Sequence, residues 1–266
     1  MSQSVAELLR YRYLFEQMVR RELRAKYKGS LLGVLWYLAN PLVLMGAYTI
    51  MFTVVLRSPF HVHDYALFVL VGIVVWMFFQ QSLMGAATSL LDQGALVRKV
   101  VFPRETIPAA TVTVQLVTFA VMLVLVAAVV VPIHGSLSVV LLVLPLLVAL
   151  LFCFALGLGL LVSVLHAYFR DVEPILGAVL LPWFFLSPIF FPIDNFPGAA
   201  SHPWARDVLH WANPVAPFIT AIRAVVFDGR APALEDVGYM IAIAVLALAI
   251  GQALFRRMQA ELAVVV

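Results

Sequence analysis

The chain has 266 residues, 64% of them hydrophobic and 12% charged, with a mean hydropathy of +1.04 and a pI near 9.2. A soluble domain carries about 45–50% apolar and about 25% charged residues, so water is excluded as the main solvent. Cys153 is the single cysteine and lies in an apolar run, which excludes a disulfide framework and a cysteine metal site.

Residues 1–30 read as a cytoplasmic, amphipathic interfacial segment, too long and too charged for a signal peptide. Leu8, Tyr11, Phe15, Val19, Leu23 and Tyr27 recur at three- and four-residue steps, one face of a helix, with Arg10, Arg20, Arg21, Arg24 and Lys28 mostly off it. Such a helix lies in the membrane interface with its cations toward headgroups or a protein partner. The basic residues also serve as a plain topogenic signal. Gly29 offers a stop before the chain enters the bilayer.

Residues 31–266 read as a six-span transmembrane domain. Six apolar runs reach the ~20 residues needed to cross a ~30 Å hydrocarbon core: Leu31–Leu56, Ala66–Leu91, Ile107–Ile133, Leu137–Leu165, Val172–Ile193 and Val237–Phe255. In the first, Tyr37, Pro41, Tyr48 and Phe52 share one helical face next to Trp36 and Asn40. Tyr48 is well inside the run, where its hydroxyl needs a partner or a wet wall. That face lines an internal path or a protein contact, or it meets lipid.

After the second run, Gly94 and Pro103 bracket Ala95–Phe102, about two helical turns presenting Leu96, Val100 and Phe102 beside Arg98 and Lys99. This piece either rests on headgroups or inserts into a cytoplasmic partner. In "YFRDVEP", 168–174, Arg170 and Asp171 pair or cap the next helix. Between Pro182 and Pro232 fall eight of the 15 prolines, so "LSPIFFPIDNFP" cannot be one regular helix. The stretch 211–229 is apolar but too short to cross, which predicts broken or re-entrant helices packed against protein at the outer face.

Cations set the orientation. Arg10, Arg12, Arg20, Arg21, Arg24, Lys26, Lys28, Arg98, Lys99, Arg104, Arg170, Arg256 and Arg257, thirteen of the 17 Lys and Arg, fall on one side of the six-span layout. Positive charge favours the cytoplasm, which predicts both termini inside a multi-pass cytoplasmic (inner) membrane protein. Basic residues spread over juxtamembrane positions also argue against nucleic acid as a partner.

The blocks "RRELRAKYKGSLLGVLWYLANPL", "VRKVVFPRE", "YFRDVEPILG", "FLSPIFFPID" and "NPVAPF", in that order, resemble the ABC-2-type permeases that export polysaccharide, the membrane subunits of O-antigen and teichoic acid exporters. The resemblance covers essentially the whole chain. It implies an all-α integral membrane protein with six transmembrane helices, working as a homodimer docked on a separate cytoplasmic ATPase, in contact with membrane lipids. The cargo it implies is a polysaccharide, lipid-linked, such as O-antigen or teichoic acid. The carried-over ATPase interface is Arg20, Arg21, Arg24 and Tyr27 with Val97, Arg98, Lys99, Val100, Phe102, Arg104 and Glu105. The carried-over conduit is Trp36, Tyr37, Tyr48 and Phe52 with Trp183, Phe184 and Phe185. An outer gate falls on Pro188, Phe190, Phe191, Pro192, Pro214, Pro217 and Phe218. Glycans present many apolar C–H faces, and an aromatic wall holds them loosely at equivalent positions, which suits sliding.

No G-x-x-x-x-G-K-[ST] loop occurs, so the chain cannot be its own P-loop ATPase, and the resemblance implies a transport subunit rather than an enzyme. It is expected to bind no cofactor or metal itself, with ATP and Mg on the partner. His61, His63 and Asp64 are the nearest thing to a metal cluster; the six histidines are otherwise scattered near span ends. A secondary transporter should place carboxylates at midspan, and here they fall in loops and termini. An ABC-2 exporter of small lipids or drugs is the nearer alternative.

Overall fold

The structure, a computed structural model, describes residues 11–27, 36–56, 62–99, 102–193, 203–259 and 262. These are helical throughout with no strand among them: α1 (Arg12–Tyr27), α2 (Trp36–Ile50, ending in a π turn at Met51–Val55), α3 (Tyr65–Asp92), α4 (Gly94–Lys99), α5 (Thr106–His134), α6 (Leu144–Tyr168, entered by a 3-10 turn at Val139–Val143), α7 (Val172–Leu186), α8 (Pro203–Asp207, extended by a π turn at Val208–Ala212), α9 (Ala216–Val226) and α10 (Leu234–Met258). Four stretches are long and apolar enough to cross a membrane: Tyr65–Asp92, Thr106–His134, Val139–Tyr168 and Leu234–Met258. Ala39–Val55, Val172–Leu186 and Ala216–Val226 are shorter apolar helices. The protein is an all-α, multi-pass membrane protein.

Helix α3 is the central strut. Every residue from Phe68 to Phe79 is buried, so this helix is apolar on all sides and is surrounded by protein. Around it pack α2, α5, α6, α7 and α9. Helices α6 and α10 pair most closely, because a Cβ on Gly251 would overlap the carbonyl of Gly157, and one on Gly157 the backbone of Ala247. Small residues let membrane helices approach this closely and gain dispersion contact where no hydrophobic force is available. Gly135 ends α5 at φ +63°, the left-handed conformation a side chain disfavours.

Several expectations change. The fifth run was expected to span Val172–Ile193, but α7 stops at Leu186. Ser187 precedes Pro188 and is driven into the extended region (ψ 149°), which ends the helix. The short inside helix is described over Gly94–Lys99, and Phe102, expected at its end, is not helical. At 168–174, Asp171 makes no side-chain cap. Instead the Glu173 backbone N–H donates to His166 Nδ1 at 3.3 Å. Gly29, Lys28, Val100 and His61 lie outside the described residues.

Candidate functional site

Five of the rings expected on the conduit and the gate meet in one cluster. Tyr48 and Phe52 come from one face of α2, Phe184 and Phe185 from the end of α7, and Phe190 from the turn beyond it. Phe190 is the hub, 4.7 Å from the Tyr48 ring, 4.9 Å from Phe52, 5.1 Å from Phe184 and 5.7 Å from Phe185. Phe190 is buried, whereas Phe185 keeps 47% of its surface uncovered. Trp183 departs from the group and turns inward, 5.4 Å from Phe79 and 6.1 Å from Trp76, its indole N–H donating to Asn213 Oδ1 at 2.8 Å. Trp36 and Tyr37 begin α2, and their side chains lie outside the described set.

The other gate positions divide. Pro188 is buried in the turn, while Phe191 and Pro192 are half-buried beside it. Pro214 is half-buried as well, but Pro217 and Phe218 enter the core, where Phe218 stacks on Phe154 at 5.6 Å. Below this turn a cavity of about 540 Å³ opens among Arg206, Asp207, Trp211 and Glu235, with His210 Nε2 2.6 Å from Asp236 Oδ1 on its wall. Among the described residues no group of His, Cys, Asp or Glu is placed to hold a metal.

Two residues that sequence reasoning did not single out hold the turn. Arg223 is 5% exposed and donates through Nη1 to the Pro188 carbonyl at 2.7 Å and through Nη2 to the Ile189 carbonyl at 3.2 Å. Its guanidinium lies 3.5 Å from the centre of the Phe68 ring. Gly72 makes room, since a Cβ there would come within 2.6 Å of Arg223 Nη2. The Tyr65 hydroxyl donates to the Phe190 carbonyl at 2.8 Å. Asn213 does the same for the end of α7, accepting from Trp183 and donating to Ser187 Oγ at 3.0 Å. A lone arginine inside the apolar helix "APFITAIRAVV" was the available signal, because such a charge persists only where partners await it.

On the opposite face, α1 docks against α5 and reaches Gln93 just past the end of α3. Its buried side includes Met18, and Leu14, Phe15 and Val19 pack beside it. It continues into a polar seam. Lys26 Nζ donates to Gln115 Oε1 at 2.8 Å and Thr118 Oγ1 at 3.2 Å. Glu22 Oε1 accepts from Gln93 Nε2 at 2.8 Å and from Thr111 Oγ1 at 3.4 Å. Desolvation raises the Glu22 carboxyl above its ordinary value and pulls the Lys26 amine down to about 8. Thr111, Gln115 and Thr118, four and three residues apart, form the polar stripe on α5 that receives α1; that spacing within an otherwise apolar span was legible and was missed.

The expected ATPase-facing residues also divide. Arg20, Arg24 and Arg98 are exposed, and so is Arg21, which donates to Gln93 Oε1 at 3.0 Å. Val97 and Phe102 instead face inward, into a cluster with Met18, Leu90, Ile107 and Phe255. Arg104 donates to the Gln259 carbonyl, and Glu105 accepts from Arg256 Nε at 3.2 Å. Tyr27 and Lys99 are helical, with side chains outside the described set.

A profile of the ABC-2 type transporter family matches residues 13–227. The chain belongs to that family. It is 31% identical over 264 residues to the O-antigen export system permease protein RfbA of Myxococcus xanthus, covering 97% of both chains. It is 29% identical over 211 residues to an O-antigen export system permease protein RfbA of Klebsiella pneumoniae, covering 76% of this chain and 80% of that one. The polysialic acid transport protein KpsM of Escherichia coli is 26% identical over 247 residues, covering 91% and 92%. The family match runs from α1 through α9, so it takes in the docked α1, the aromatic cluster and the Arg223 turn of this ABC-2 protein.

Proposed function

We propose that this ABC-2 protein is the transmembrane permease subunit of an ATP-driven exporter that moves lipid-linked polysaccharide across the cytoplasmic membrane. The observation that carries the reading is its similarity, over nearly its whole length, to permeases named for O-antigen export and polysialic acid transport. In this reading the chain crosses six times, with α2 and α7 as the first and fifth spans and both termini in the cytoplasm. Two copies enclose the path, and each rests on a cytoplasmic ATPase that binds ATP and Mg. The exposed cations of α1 and α4, Arg20, Arg24 and Arg98, face that subunit.

The aromatic cluster supplies the physical means. Phe185 is partly uncovered and offers a ring face to sugar C–H groups, while Phe190 closes the outer end of the path. Freeing Phe190 breaks four ring pairs, about 2–6 kcal/mol at 0.5–1.5 kcal/mol each. A step of that size suits a gate opened by ATP turnover and reclosed without it. The test is reconstitution with the proposed partner ATPase, measuring permease abundance, ATP hydrolysis and polysaccharide export together. Phe185→Ala should keep normal abundance and reduce export severalfold; export that stays at the native rate would remove this ring from the path. ATP-stimulated movement of small lipids with no dependence on glycan would overturn the cargo assignment.

A further inference from the structure

Both α5 and α10 pack on α6 far more extensively than on each other, and they meet near the Ile107–Phe255 cluster and the Glu105–Arg256 pair. Between them, over α6, lies a groove of about 470 Å³. Leu156 and Leu160 of α6 form its floor, Val245, Leu248 and Ala249 its α10 wall, and Ala109 its α5 side. Ala109, Ala249 and Ala253 leave the space open, and the Gly157–Gly251 contact prevents α10 from sliding over to fill it. At one end the groove is bridged by the ion pair between Glu105 and Arg256. Gln252 lies one turn inside that end.

We propose that this groove is a binding site for one acyl chain of an anionic phospholipid, with its phosphate against Arg256 and Arg257. The dimensions fit one leaflet. From Val245 to Arg256 the helix rises about 16 Å at ~1.5 Å per residue, and one leaflet contributes about half of a ~30 Å hydrocarbon core. An empty apolar groove forfeits dispersion contacts along its whole lining, so hydrocarbon fills it in preference to water or vacuum. The charge at the mouth decides the headgroup. Glu105 engages only Nε of Arg256, and the guanidinium Nη groups and Arg257 have no partner among the described residues. The charges of the described residues at the mouth are therefore net cationic, which suits a phosphate that carries net charge over a zwitterionic headgroup. Gln252 is placed at the depth of the glycerol esters, where its amide can donate.

The site is independent of what the protein exports. To test it, the full-length chain is purified in mild detergent from membranes containing both phosphatidylglycerol and phosphatidylethanolamine, and retained lipid is measured by native mass spectrometry. One tightly held phosphatidylglycerol per chain is expected. Ala249→Trp places a ring in the groove and should abolish retention, while Val124→Trp, on an uncovered face of α5, should leave it intact. Arg257→Gln removes a charge without touching the packed core and should lower the preference for phosphatidylglycerol about fivefold. This variant decides the matter if Ala249→Trp does not accumulate. Retention unaffected by Ala249→Trp, equal retention of both phospholipids, or recovery of a polyprenyl phosphate instead would each overturn the proposal.

Discussion

Replacing Arg223 with Met should loosen the turn that presents Phe190 while leaving the helices assembled. Methionine has similar length, so little volume is lost, and removing a buried cation relieves its desolvation cost. The loss lies in the two carbonyls, Pro188 O and Ile189 O, which are left buried without donors. An orphaned buried polar group costs about 1–3 kcal/mol, or about 2–6 kcal/mol for the pair. The lost cation over Phe68 adds on the order of 1–2 kcal/mol. Relief of desolvation offsets part of this, and a local destabilisation of about 2–4 kcal/mol remains. Amide hydrogen exchange in a peptide covering 185–193 reads the opening of this turn directly. At ~1.4 kcal/mol per tenfold, the exchange of Ser187, Ile189 and Phe190 should accelerate by roughly 30- to 1,000-fold. Peptides from α3 and α6 should change far less. Tyr65→Phe removes one neutral hydrogen bond to the Phe190 carbonyl, worth about 1 kcal/mol, and should accelerate the same amides only several-fold. Unchanged exchange in Arg223→Met would refute the reasoning, because the turn would then be held by packing alone.

Three further outcomes follow from burial and charge. Phe102→Asp places a carboxylate in the cluster around Met18 and Ile107 and should lower permease abundance, whereas exposed Arg98→Glu should keep abundance and uncouple ATP hydrolysis from export in the reconstituted exporter. Gly251→Ala cannot be accommodated against the Gly157 carbonyl without separating α6 from α10, and should cost at least about 1–3 kcal/mol, read as reduced thermal stability in detergent. Burial pulls Lys26 from 10.5 to about 8, so between about pH 8 and pH 10.5 undocked α1 holds a proton that docked α1 has released. Docking should therefore strengthen as pH rises through that window, seen as falling spin-label mobility at Gln17, and Lys26→Met should abolish the dependence.

The sequence by itself determined the solvent, the class of fold and the family. Runs of apolar residues long enough to cross a bilayer leave the backbone no choice but helix, because every N–H and C=O must be satisfied within its own segment. The one-residue logic of Pro188 was also in the sequence, although the expected span ran past it to Ile193: the residue before a proline leaves the helical region wherever it occurs. The family blocks were legible because they are contiguous strings. What contiguous strings do not contain is which side of a helix meets protein. Trp183, Phe184 and Phe185 are neighbours in sequence, yet at ~100° per residue they point in three directions, and only the positions of α3 and the outer turn decided that Trp183 goes inward and Phe185 stays uncovered. Phe102 and Arg98 were read as one surface for the same reason, and packing around Met18 separated them. Arg223 was visible as a charge in an apolar helix, but its meaning depends on two carbonyls 34 and 35 residues away that face it only once α9 lies against α3. Local sequence fixes how each helix turns and where it ends; the sharing of buried polar groups between distant helices is settled only when the chain closes on itself.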